Sequence, residues 1–233
     1  MYRRLLLLLA ACCPLLLSAQ TLERSVGLEL TPLHGGQRIS GANNTSLAEL
    51  ERLDSLESGG FGYSLGLVFE DRVDRIGYTT GLRYLSVGYS TLEQATGPTG
   101  GGTFSDELTA HYLAIPFEVN FYQDPTTDDR LLFTLGVSAQ YHLGTRTDRT
   151  TFRGGEETGT TELPADAVDY RRIIPSFHTG FAYDRRLSDD WAIRFQPTFQ
   201  FFLNGNVRAA ATTRANRQYY QLGLRIVVRR LFI

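Results

Sequence analysis

Beyond residue 60 the chain alternates apolar and polar side chains with a period of two. Phe61, Tyr63, Leu65, Leu67 and Phe69 are interleaved with Gly62, Ser64, Gly66 and Glu70, and only Val68 breaks the polar set. Leu113, Ile115, Phe117, Val119 and Phe121 repeat the pattern against Tyr112, Ala114, Pro116, Glu118 and Asn120. It recurs from Leu131 to Leu143, from Trp191 to Phe201, and from Tyr220 to Val228. Weaker versions run over Val26 to Leu33, Ile76 to Tyr89 and Tyr170 to Tyr183, so eight segments carry it. This is the period of a strand with one apolar and one polar face, and most segments approach the ~9–11 residues of a membrane-spanning strand.

The connections alternate in length. Residues 34–59, 91–107, 144–169 and 204–216 are long, while 71–75, 123–129 and 184–190 are short. Long loops on one side and tight turns on the other predict an all-β, eight-stranded antiparallel up-and-down transmembrane β-barrel with four long extracellular loops and both termini periplasmic. The rival is a soluble barrel of lipocalin type with its faces inverted. The polar face favours the membrane form: it carries mostly Gly, Ala, Ser, Thr and Gln, which suit a narrow lumen better than a water-facing surface. Tyr63, Tyr183, Trp191 and Tyr220 near strand ends fit interfacial girdles. Pro32, Pro116, Pro175 and Pro197 fall inside the alternating segments, where each removes a ladder donor, so bulges are expected there.

The N-terminus follows a different pattern. Arg3 and Arg4 precede an apolar run from Leu5 to Leu17, and Ser18-Ala19-Gln20 closes it with small residues. Residues 1–20 read as a cleaved signal peptide, and 21–233 as the barrel. Leu9-Ala10-Ala11-Cys12 also matches a lipobox, which would lipidate Cys12 instead. Both cysteines, Cys12 and Cys13, lie in this segment, so ordinary cleavage leaves no disulfide, Cys-ligated metal or cysteine nucleophile. Every basic residue is Arg, and the exported chain has 21 of them against 25 acidic residues, a formal charge of −4. That near balance argues against nucleic acid as a partner. Mean hydropathy is −0.18, and no later apolar run is long enough for a transmembrane helix.

The stretch His111-Tyr112-Leu113-Ala114-Ile115-Pro116-Phe117-Glu118-Val119-Asn120-Phe121 resembles the fourth strand of the PorT-like outer-membrane β-barrel family of Bacteroidota. The Ser-Ala-Gln ending of the signal and the Gly81-Leu82-Arg83-Tyr84 strand are similar too. The resemblance implies an eight-stranded barrel in a family mostly without assigned activity, one branch of which is linked to a secretion and gliding apparatus. Phe232 is followed by Ile233, where the family ends on an aromatic residue.

Candidate chemistry is sparse. Glu29, Glu70, Arg83, Glu118, Arg194, Arg225 and Arg229 share the polar face, and ions in a narrow lumen must pair, which predicts a salt-bridge network with Glu29–Arg225 and Arg83–Glu118 as its pairs. Such a network fills the lumen; the alternative is a narrow gated pore opened by its rearrangement. His142 and His178 also face inward and would serve a lipid-modifying barrel enzyme, but they lie about seven residues apart in height, roughly 23 Å. The protein is therefore expected not to be an enzyme and to need no cofactor or metal.

The first long loop holds a predicted helix. Ser46-Leu47-Ala48-Glu49 forms a capping box, Leu47, Leu50, Leu53 and Leu56 follow, and Gly59-Gly60 stops it. The helix either packs over the barrel mouth or docks a partner. Residues 144–169 carry three Arg and six acidic residues and read as a solvated, mobile surface. The expected function is structural or interactive, through extracellular loops that meet outer-membrane lipid, lipopolysaccharide or a protein partner, and a link to a secretion assembly follows only for the one branch of the resembling family. The sequence sets no oligomeric state.

Overall fold

A computed structural model describes residues 22–40, 46–97, 101–164, 170–207 and 216–232. Residues 1–20, read above as a signal peptide, lie outside them. Ten strands form in chain order: β1 (Leu22–Ser40), β2 (Glu57–Val73), β3 (Ile76–Thr91), β4 (Gln94–Ala95), β5 (Gly102–Gln123), β6 (Asp129–Arg153), β7 (Glu156–Glu162), β8 (Ile173–Arg186), β9 (Trp191–Phe202) and β10 (Asn216–Phe232). The helix α1 covers Leu47–Leu56.

Eight strands make a closed antiparallel ring, in the order β1, β2, β3, β5, β6, β8, β9, β10 and back to β1. The first and last strands seal it, from Arg24 opposite Phe232 to Ser40 opposite Asn216. Closure removes both free edges, so the strand backbone needs no water along the wall. β4 and β7 stand outside the ring and widen the projecting ends of β5 and β6 into a four-stranded sheet. That sheet, α1 and residues 203–207 lie at one end, called here the long-connection end. The two-residue Asp74–Arg75 turn and the connections 124–128 and 187–190 lie at the other, with the first and last described residues, Leu22 and Phe232.

Alternation sets the wall. Leu65, Leu67, Phe69, Ile115, Phe117, Val137, Phe181, Leu222 and Leu224 are exposed on the outside, whereas Ser64, Glu70, Glu118, Ser138, Gln140, His178 and Gln221 are buried inside. On β2 the apolar outward row from Phe61 to Phe69 covers nine residues. That length is about 30 Å along the strand, or about 23 Å of height at a tilt of ~40°. An apolar band of ~25 Å is the outward face of a membrane barrel. Tyr78, Tyr183, Trp191 and Phe232 edge it at the short-turn end, and Tyr63, Tyr84, Tyr141 and Tyr220 edge it at the other.

Two features differ from the sequence reading. The prolines do not produce bulges: the register of β1–β10, β3–β5 and β8–β9 is unchanged across Pro32, Pro116 and Pro197, and only two rungs are missing beside each. A missing N–H deletes bonds without adding a residue, so the ladder is interrupted and not shifted. Register shifts occur instead at Gly59/Tyr63, His111/Tyr112 and Thr151/Phe152. Nor are 91–107 and 144–169 simply loops. β5 and β6 stay paired up to Gly102 and Arg153, and β6 turns through Gly154-Gly155 into β7. Both glycines take positive φ, 64° and 85°, as a two-residue hairpin turn requires. Threonine hydroxyls cross the hairpin at Thr150–Thr160 (3.0 Å) and Thr151–Thr158 (3.1 Å). β-Branched alternation around Gly-Gly is a hairpin signal that outweighs the high charge of the segment.

Candidate functional site

The interior is where the chemistry-bearing residues gather, and it is stacked in layers. In the first, Glu29 on β1, Arg83 on β3, Glu118 on β5 and Arg225 on β10 form a closed cycle of alternating charge. Arg83 binds Glu29 through Nε, and its Nη2 donates to Glu29 at 3.0 Å and to Glu118 at 3.2 Å. Arg225 donates to Glu118 at 2.7 Å and to Glu29 at 2.6 Å. His178 adds a contact to Glu118 at 3.0 Å.

Glycines make these contacts geometrically possible. By register, Gly66 lies between Glu29 and Arg83, and Gly136 lies between Glu118 and His178. A Cβ on Gly66 would stand 3.0 Å from a Glu29 carboxylate oxygen, and one on Gly136 only 2.2 Å from His178 Nε2. In each case the strand between the partners gives up its side chain so that they can meet over it.

The second cycle lies four residues further along β2 toward the short turns. Arg194 grips Glu70 with two bonds of 2.9 and 3.0 Å and reaches Asp184 at 3.1 Å. Arg229 bonds both Glu70 and Asp184 and closes the ring. Tyr122 (2.5 Å), Thr79 (2.8 Å) and Asn120 (3.2 Å) donate to the Glu70 carboxylate as well. Each cycle balances two acids with two arginines, which is the arrangement that lets buried ions persist. Below them Glu23 holds Arg130 at 2.6 and 2.8 Å, and Arg72 pairs with Asp124.

Above the cycles the interior changes character. Ser138, Ser176, Gln140 and Gln200 form a neutral hydrogen-bonded layer at 2.8–3.2 Å. Beyond it Leu33, Leu85, Val87, Tyr89, Tyr112, Ile174, Phe202 and Tyr219 pack into an apolar cluster. Phe202 sits edge-on to Tyr112 (5.3 Å) and Tyr219 (5.6 Å). Over the cluster Glu57 is buried against Arg217 and Gln37.

His142 sits at this upper level, 2.8 Å from Thr145 Oγ1 and against the rings of Tyr112 and Tyr170. Gly136 faces His178 and stands six residues before His142 on β6, so the two histidines are roughly 20 Å apart. No shared substrate atom fits between them. His34 and His111 lie on the outside, against Phe61 and Tyr84. The sequence reading left out Asp184, which it assigned to a short turn, and Tyr122; both share the inward parity of their strands, which is the signal that finds them.

At the long-connection end α1 rests against β1 and β2. Leu47 is 72% exposed, whereas Leu50, Leu53 and Leu56 are half-buried. The Leu92 amide donates to the Leu56 carbonyl at 2.7 Å and ties the helix to the end of β3. On the projecting sheet, Arg149 binds Asp106 through two 2.7 Å bonds and stacks over Phe104. Every residue of β7 is exposed.

No family model and no curated protein matches this chain. Solved structures similar to it include Neisserial surface protein A, at 10% identity and a TM-score of 0.44 over 89% of this chain and 97% of that one. The outer membrane protein OprG of Pseudomonas aeruginosa is similar at 11% identity and 0.41, over 91% and 97%. The outer membrane protease OmpT of Escherichia coli follows at 9% and 0.36, over 91% and 96%. At these values the architecture rests on the strand ladders themselves.

Proposed function

We propose that this protein is an outer-membrane β-barrel with a sealed lumen, exported by removal of residues 1–20, with a structural or interaction role at its long-connection end. The carrying observation is the contrast between an apolar outer wall and an interior closed by two charge cycles and an aromatic cluster. Water-facing barrels bury their apolar side chains; here Phe117, Phe181, Leu222 and Leu224 stand outside while Arg194, Arg229 and Glu118 are inside. In this reading both termini are periplasmic, and α1 with the β4–β7 sheet projects from the cell surface among lipopolysaccharide. The partner sought is a protein; one branch of the PorT-like family that the chain resembles is linked to a secretion assembly.

In-cell photo-crosslinking tests the proposal, with the probe placed at Leu50, at Thr158 and at Phe117. The expected result is a recurrent protein adduct from Leu50 or Thr158 and lipid adducts from Phe117. Lipopolysaccharide as the sole adduct of both surface positions would remove the interaction role, and soluble proteins captured at Phe117 would overturn the membrane reading.

A further inference from the structure

The outer wall at the short-turn end carries a groove that the barrel's own side chains do not fill. By register, Ile76 on β3 faces Phe121 on β5, Phe121 faces Phe133 on β6, and Phe133 faces Phe181 on β8. The four form a row across four strands at one level. Phe121 and Phe133 stack at 6.5 Å, and Phe133 meets Phe181 at 4.9 Å. The groove along this row holds about 540 Å³, within the ~300–1,000 Å³ range of small-molecule sites.

One end of the groove is charged. Arg75, in the tight turn between β2 and β3, is exposed and lines the groove together with Gln123 and Leu131. Its carbonyl accepts the Tyr122 amide at 2.8 Å, which fixes the turn against β5. Of the neighbouring charges, Arg72 binds Asp124 and donates from Nε to the Asp74 carbonyl at 2.7 Å, Asp124 also lies 3.7 Å from Arg130, and the exposed Asp74 is not part of the groove lining. Among the described residues Arg75 is thus the one charged side chain lining this largely apolar groove, at its mouth where the apolar band ends. Those two features are complementary to an amphiphile with one anionic head and an acyl tail.

We propose that this groove binds an anionic phospholipid, with an acyl chain along the row from Ile76 to Phe181 and the phosphate on Arg75. The proposal rests on the membrane reading above and adds a specific lipid site to it. The test uses barrel refolded into lipid-free detergent and titrated in native mass spectrometry with phosphatidylglycerol or phosphatidylcholine. A 1:1 phosphatidylglycerol adduct is expected at about tenfold lower concentration, because the choline cation of phosphatidylcholine offsets the phosphate charge that Arg75 meets. Arg75→Ala should erase that preference, Phe133→Ala should weaken both adducts, and Arg24→Ala, whose guanidinium pairs with Asp71 at 3.5 Å, should leave the preference intact. Equal binding of the two lipids, or a preference that survives Arg75→Ala, overturns the proposal, as does a lipid-free dimer that Phe133→Ala dissociates. Insertion of the same preparation into vesicles is scored separately, so failure of the membrane reading is not mistaken for failure of the lipid site.

Discussion

The two halves of the lumen solve the same packing problem with opposite chemistry. Toward the short turns the interior is ionic: Glu29, Glu70, Glu118 and Asp184 are each held by two arginines. Toward the long connections it is a cluster of Tyr112, Phe202, Tyr219, Leu85 and Ile174. An apolar cluster loses stability in proportion to the volume removed, because its atoms interact without direction. A charge cycle behaves differently: removing one member leaves its neighbours buried and uncompensated, so the loss far exceeds the value of any single bond. One half of the barrel therefore tolerates trimming in steps, and the other fails as a unit.

Five substitutions separate the two behaviours. Glu70→Ala leaves Arg194 and Arg229 facing Asp184 alone and should cost about 3–5 kcal/mol. Trp191, the chain's only tryptophan, reports this as a lowered urea midpoint in its emission from vesicles. Phe202→Ala should cost about 3 kcal/mol, and Ile174→Val only about 1 kcal/mol, on the scale of the volume lost. If Phe202→Ala and Ile174→Val had equal effects, the upper cluster would not be the packed half. Gly136→Ala should cost about 2 kcal/mol through displacement of His178 from Glu118, visible as a shift of the His178 imidazole resonances. Arg149→Ala on the projecting sheet should cost about 1 kcal/mol, since the pair is only half-buried. A double-mutant cycle on Glu29 and Arg225 sharpens the contrast: a coupling well above the ~1 kcal/mol of a surface pair is expected for an interior cycle.

The barrel was legible because a two-residue period is insensitive to detail: any strand with Leu65, Leu67 and Phe69 on one face and Ser64, Gly66 and Glu70 on the other has an inside and an outside. Parity also puts Glu29, Arg83, Glu118 and Arg225 inward. Neighbouring strands suggest Glu29 with Arg225 and Arg83 with Glu118, but the contacts of Arg83 with Glu29 and of Arg225 with Glu118 that close the cycle join strands that are not adjacent, and depend on relative heights that a closed ring fixes through every register at once. Gly66 and Gly136 illustrate the difficulty. In the sequence they are small residues on a polar face; in the barrel they are the spaces through which Glu29 reaches Arg83 and Glu118 reaches His178. The hairpin of β6 and β7 was obscured by its charges, although Gly154-Gly155 and the flanking threonines carry the signal. The prolines misled for a simpler reason, since a missing donor removes rungs without moving the register.

Single-channel recording on the purified barrel in planar bilayers tests the sealed interior most directly. The expected result is a membrane that gains inserted protein, verified by heat-modifiable gel mobility, with no conductance steps at either polarity. Stable, ion-selective steps whose size changes with Glu118→Ala or Arg225→Ala would contradict it, since the cycle of Glu29, Arg83, Glu118 and Arg225 would then be lining an open path rather than closing one.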